Sequence, residues 1–188
     1  MKRLFIAVNL PEAIKWQIDA LLAEFEGGFD LGAIRWIPKE NWHITVVFLG
    51  DQPEENIPII ERSISMVIPD ALRDKIFFRE IGFGPSEEER RMIWLKLREE
   101  SSGILAPLKA KLEKELREAG IALREERRLF SGHITLARFR DGTRPPLVAF
   151  PEVQNVFFEV DSLDLMESQL MPSGPKYSIL SSFPFKKG

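Results

Sequence analysis

Two stretches of the chain repeat one four-residue pattern, His43-Ile44-Thr45-Val46 and His133-Ile134-Thr135-Leu136, and between them they hold both of its histidines. Alternation of polar and apolar residues marks a strand with one face on a core, because residues i and i+2 point the same way. His43 and Thr45 therefore share one face, with Ile44 and Val46 turned toward the core, and His133 and Thr135 repeat the arrangement. A strand and a helix precede each copy, so the chain reads as a diverged internal duplication. The expectation is an α+β chain of two lobes sharing one cleft.

The remaining pattern fills in that expectation. Residues 3–10 read as a strand. Pro11 suits the first turn of a helix, whose apolar stripe is Ile14, Ile18, Leu21, Leu22 and Phe25, with Gly27 and Gly28 as its stop. Residues 35–37 suggest a short strand. Residues 41–50 form a strand from which Gly50 and Asp51 turn out. A second helix covers 54–67, with Ile60, Ile64, Val67 and Ile68 facing a sheet. Strands at 76–83 and 92–97 flank the polar, turn-like stretch 84–91. A long helix over 104–118 aligns Ile104, Leu105, Leu108, Leu112 and Leu116 and stops at Gly120. The second His-Ile-Thr strand covers 131–140. Residues 153–168 and 176–185 supply two final strands, separated by a loop of Pro172, Ser173, Gly174 and Pro175. No linker rich in Pro, Gly or Ser divides the halves, so a single domain over 1–188 is expected.

Composition narrows the function. The 188 residues are 44% hydrophobic and 29% charged, ordinary for a globular chain with a substantial core. The apolar runs are too short to span a membrane. The first residues lack the long apolar core and small-residue cleavage site of a signal peptide, and a cytoplasmic location is expected. With no cysteine, disulfides, thiolate catalysis and cysteine-ligated zinc are excluded. A net charge of −3 argues against a broadly basic surface that coats nucleic acid, so any RNA recognition must be local.

Two imidazoles in one cleft are suited to acid–base chemistry. Their reference pKa is about 6.5, so near neutrality one can take a proton from water while the other protonates a leaving alkoxide. The threonine hydroxyls can bond nonbridging phosphoryl oxygens or orient the rings. This fits phosphodiester cleavage without a metal, and a cyclic phosphate already holds its leaving oxygen beside phosphorus. A zinc hydrolase fits less well, because two histidines leave the ligand set short and there is no HExxH pattern. Neither histidine sits in a serine-triad motif.

The chain resembles the 2H phosphoesterase superfamily, and within it the bacterial and archaeal RNA 2',3'-cyclic phosphodiesterases, first described as 2'-5' RNA ligases. The resemblance runs over nearly the whole chain: RLFIAVNLP at 3–11, IRWIPKENWHITVVFLG at 34–50, GHITLARF at 132–139, and SLDLMESQLMPSGPKYSILSSFPF at 162–185. It implies a bilobal, LigT-like fold, with two antiparallel sheets lining a central cleft and helices outside. It also implies hydrolysis of a terminal 2',3'-cyclic phosphate to a 2'-phosphomonoester, with no metal and no nucleotide cofactor. The partner implied is RNA with such an end, tRNA fragments among the candidates; no membrane and no obligate protein partner are inferred. His43 takes the place of the family's general acid and His133 that of its general base. A 2'-5' ligase, another two-histidine RNA-processing activity and a noncatalytic RNA-end-binding module are the alternatives.

Supporting residues follow from the same segments. Arg138 stands five residues after His133, where the family commonly has a basic residue. In a regular strand it would face away from His133, so a bend must bring it over the cleft to bind phosphate; otherwise it is a solvated strand-end arginine. Phe48 holds the corresponding place after the first motif. Arg35, Trp36, Phe48 and Tyr177 are candidate RNA contacts, with Phe83 a further stacking candidate. Trp42 reads as packing. Arg90 and Arg91 read equally as rim contacts or as balance for the acidic run before them. Glu167 and Ser168 are candidates for orienting an imidazole or shaping the C-terminal segment, and Lys186 and Lys187 for weak RNA contacts.

Overall fold

The computed structural model describes residues 1–68, 74–124, 128–143, 145–146, 148–171 and 174–185. Strand β1 (Lys2–Asn9) is buried continuously from Leu4 to Val8. Such a run suits a central strand covered on both faces. It pairs antiparallel with β3 (His43–Gln52) on one side and with β8 (Ser162–Met171) on the other. A last strand, β9 (Gly174–Pro184), completes a four-stranded sheet in the order β3-β1-β8-β9.

The second sheet has five strands in the order β2-β6-β5-β4-β7, made of β2 (Ile34–Trp36), β6 (His133–Phe139), β5 (Met92–Leu97), β4 (Lys75–Gly84) and β7 (Phe157–Glu159). All of its pairings are antiparallel. The halves exchange strands. The early β2 pairs with β6 of the second sheet, and the late β8 and β9 complete the first. The two His-Ile-Thr strands, β3 and β6, pack against each other where the sheets meet.

Three helices lie on the outside: α1 (Glu12–Ala23), α2 (Ile57–Val67) and α3 (Glu99–Glu118). Their apolar stripes, including Ile14, Ile18 and Leu22 of α1, Ile60 and Ile64 of α2, and Leu105, Leu112 and Leu116 of α3, enter one core shared with both sheets. α2 also packs on α3. Among the described residues no helix is long and apolar enough to cross a membrane.

Several boundaries differ from the sequence reading, each for a local reason. β3 does not turn out at Gly50. It runs on to Gln52, opposite Lys2, and Gly50 at φ 72° absorbs a bulge beside Leu49. α1 ends at Ala23, ahead of a separate 3-10 turn over Glu26–Gly28. α3 starts at Glu99 rather than at 104. Ser101, which with Ser102 and Gly103 looks like a helix breaker, is buried inside the helix and its Oγ accepts the Phe77 backbone N–H at 2.9 Å. The stretch 153–168 divides between sheets, with Phe157–Glu159 edging the second and Ser162 onward entering the first. Gly174 and Pro175, expected in a loop, belong to β9 and pair with Met171 and Leu170; Pro172 and Ser173 fall outside the described residues.

Candidate active site

The cleft faces of the two sheets are set by strand register. On β1, Ala7 stands opposite Thr45 and Asn9 opposite His43. On β5, Trp94 stands opposite Thr135 and Lys96 opposite His133. After each His-Ile-Thr the ladder slips by one residue. Ile6 pairs with Val47 and Ala7 with Thr45, which leaves Val46 unmatched; Ile93 pairs with Ala137 and Trp94 with Thr135, which leaves Leu136 unmatched. Val46 and Val47 are therefore both buried, as are Leu136 and Ala137. The extra residue restores Phe48 and Arg138 to the face that carries the histidines.

This is the bend that Arg138 needed. Its guanidinium lines a cavity of about 520 Å³ together with His43, Thr45, His133, Thr135, Phe48, Arg35 and Tyr177. The same cavity takes in Ser168 and several residues that the sequence reading does not single out, notably Arg3, Phe5, Asn41 and Met92. Among the described residues no Asp or Glu lines it.

Both imidazoles are anchored in the same way. Nδ1 of His43 lies 2.7 Å from the Asn41 carbonyl oxygen, and Nδ1 of His133 lies 2.8 Å from that of Ser131. Each carbonyl belongs to the residue two positions earlier. A carbonyl can only accept, so Nδ1 carries the proton in both rings and a neutral ring keeps its lone pair on Nε2. The Thr45 hydroxyl, 3.1 Å from Nε2 of His43, donates to that lone pair.

The two rings differ in what packs on them. His43 is tilted on Phe5 at 4.8 Å between centroids and meets the edge of Tyr177 at 5.0 Å. His133 stacks on Trp94, at 3.6 Å and 17°. The indole in turn lies over Gly84, where any side chain would collide with it.

Crowding has an electrostatic consequence. Loss of water around His43 lowers its pKa to about 4. The nearby His133 and Arg138 push the same way, while the Asn41 carbonyl pushes back. His133 is lowered too, by burial first and then by Arg138, against the Ser131 carbonyl. In an unfolded chain both would titrate near about 6.5, so below that pH the unfolded state binds more protons than the folded one. Stability is thus full above about pH 6.5 and is lost as pH falls toward the folded values. Thermal midpoints taken across that window are expected to fall, and His43→Gln to flatten the decline. An identical decline in wild type and variant would refute the assignment of this loss to His43.

Other candidates do not reach the cleft. Trp36 alternates with Arg35 on β2 and so takes the opposite face, partly buried against the core and edge-on to Phe25 and Phe29, and it does not line the cavity. Phe83 is buried against Phe139 and Phe150. Trp42 is 1% exposed, and its indole N–H donates to the Ile37 carbonyl at 2.9 Å. Arg90 donates to the Glu87 carbonyl and Arg91 pairs with Glu89, so both serve their own loop. Glu167 pairs with Lys2 at 3.3 Å rather than with an imidazole. Lys186 and Lys187 lie outside the described residues.

Two imidazoles, two threonine hydroxyls and Arg138 gathered in one cavity, with no acid among its described lining residues, fit the cleft of a two-histidine phosphoesterase. A family model described as LigT like Phosphoesterase matches the chain twice, over residues 8–94 and 95–177. The chain belongs to that family. An RNA 2',3'-cyclic phosphodiesterase of Thermus thermophilus is 30% identical over 195 residues, spanning 98% of this chain and 90% of the relative. Its counterpart of the same name in Archaeoglobus fulgidus is 29% identical over 191 residues, covering 96% and 99%. Among solved structures, a Thermus thermophilus protein superimposes with a TM-score of 0.77 at 28% identity, over 97% of both chains. Escherichia coli LigT complexed with 3'-AMP gives 0.78 over 99% of both chains; at 22% identity it speaks for the fold alone.

Proposed function

We propose that this protein hydrolyses the 2',3'-cyclic phosphate at the end of an RNA to a 2'-phosphomonoester, using His43 and His133 and no metal. The observation that carries the reading is the matched pair of imidazoles, each with Nδ1–H held by a backbone carbonyl, which keeps Nε2 as the basic nitrogen, shared with the Thr45 hydroxyl in His43. The names of the relatives that span nearly the whole chain support the same reaction. They make RNA ends, tRNA fragments included, the substrates to try.

In this mechanism the phosphate sits between the two strands. The hydroxyls of Thr45 and Thr135 and the guanidinium of Arg138 bind its nonbridging oxygens and offset the charge that builds there. Nε2 of the base takes a proton from water as the water oxygen bonds to phosphorus. The P–O3' bond breaks, and Nε2–H of the acid protonates O3'. The resemblance casts His43 as acid and His133 as base. That division requires the bound phosphate's negative charge to raise His43 from about 4. The stack on Trp94 favours the reverse division, since an indole face stabilises an imidazolium. The family model's two matches and the exchange of strands between sheets support one catalytic domain with a diverged internal duplication.

Product analysis tests the reaction. A short RNA ending in a 2',3'-cyclic phosphate, incubated with the protein and a chelator, is expected to give a 2'-phosphate. A 3'-phosphate would keep the site but overturn the leaving group. A 2'-5' joined product would make this a ligase. Tight binding without turnover would make it an RNA-end-binding module.

A further inference from the structure

The cleft holds more positive charge than one cyclic phosphate can neutralise. In a chain of net charge −3, its lining gathers Arg3, Arg35 and Arg138 beside the two histidines, with no acid among the described residues. Among the described residues neither Arg3 nor Arg138 makes an ion pair. Arg3 lies over the ring of Phe48 at 5.1 Å, and Arg138 donates to the Met92 sulfur at 3.1 Å. Unpaired guanidiniums left together in one cavity repel each other, and an anion relieves that repulsion.

Their placement is ordered along the cleft. Counting from Thr45, opposite Ala7, the ladder reaches Phe48 opposite Phe5 and then Asp51 opposite Arg3. The Phe48 level is two β1 residues, about 7 Å, beyond the Thr45 level, and the Arg3 backbone about 13 Å beyond it. On the other wall Arg138 follows Thr135 through the matching bulge, with Arg35 opposite it on β2. Phe48 thus occupies the position in the first half that Arg138 occupies in the second, and it carries on its ring the guanidinium of Arg3. The duplicated site regains by this loan from β1 the cation that Phe48 itself lacks. The aromatic face also holds the guanidinium in place before any ligand arrives, which lowers the entropy lost on binding.

We propose that Arg3, held on Phe48 in the cavity that Arg35 also lines, forms a second anion subsite. It takes the phosphodiester that links the terminal nucleotide to its 5' neighbour, so the preferred substrate is an oligonucleotide end and not a free nucleoside cyclic phosphate. This deepens the cyclic phosphodiesterase reading and rests on it. Arg138, whose charge acts on both histidines, serves the cyclic phosphate; Arg3, farther along the cleft, serves the next one.

The test compares adenosine 2',3'-cyclic phosphate with the adenosine dinucleotide that ends in the same group, using wild type, Arg3→Gln and Phe48→Leu. Wild type is expected to favour the dinucleotide at least tenfold in kcat/KM. Each variant is expected to shrink that ratio, Arg3→Gln by about tenfold, the worth of one charge-assisted contact. The salt slope of dinucleotide turnover should also shrink by about 0.7 in Arg3→Gln. A wild-type ratio near one, or a ratio that Arg3→Gln leaves unmoved, overturns the subsite. If wild type turns over neither compound, the cyclic phosphodiesterase reading itself falls. Calorimetric binding of the dinucleotide and mononucleotide 2'-phosphates then judges the subsite separately: a tenfold preference lost in Arg3→Gln upholds it, and equal affinities overturn it.

Discussion

His43→Ala and His133→Ala are each expected to lower kcat/KM for a 2',3'-cyclic phosphate by about 10²–10⁴-fold, the range for loss of one general acid or base. Neither change should unfold the protein. Both rings are partly exposed on the cleft face, so each truncation gives up one packing contact, His43 on Phe5 or His133 on Trp94, and leaves the main core intact. The double variant should be little worse than the worse single one, because the two rings act on one transition state. A substrate with sulfur in place of O3' separates their roles. A thiolate with a pKa near about 8.5 leaves without help, whereas an alkoxide does not. The variant that lacks the acid recovers on the sulfur substrate and the variant that lacks the base stays slow. Recovery in His43→Ala would support the division that the family resemblance implies. Recovery in His133→Ala would support the division favoured by the Trp94 stack. If both variants retained wild-type rates on the natural oxygen ester, the two-histidine mechanism would be wrong.

The histidines are legible in the sequence because they obey the simplest rule of a strand. Alternation alone puts His43 with Thr45 and His133 with Thr135, and register bears out the shared faces. Arg138 is legible only as a conflict, since five residues of regular strand point it away. The resolving signal is present as doubled apolar residues, Val46-Val47 and Leu136-Ala137, which mark the bulges. Arg3 gives no such signal. β1 is covered on both sides, so its apolar run does not say which face residue 3 shares. Trp36 cannot share the cleft with its neighbour Arg35, because adjacent residues on a strand must face apart. The early start of α3 depends on a hydrogen bond from Phe77 to Ser101, twenty-four residues away, which no local propensity encodes. Position within the sheet and contacts distant in sequence account for what the chain does not declare.

Arg138→Ala is the second large effect, an expected loss of about 10²–10³-fold in kcat, the scale for removing one donor from a developing oxyanion. The guanidinium is exposed in the cleft and its one described hydrogen bond goes to the Met92 sulfur, so its removal should change stability by less than about 0.5 kcal/mol. What it does have is electrostatic reach, since it lowers the pKa of both histidines. Its loss should therefore move the pH profile of kcat/KM toward alkaline pH as both rings hold their protons longer. Arg138→Lys keeps the charge but not the two-pronged donor. It should retain the profile's position while recovering only part of the rate. This pattern separates a phosphate-binding arginine from a solvated one. A solvated residue would leave kcat and the pH profile unchanged in both variants, and the bulge at Leu136 would then be a feature of packing alone.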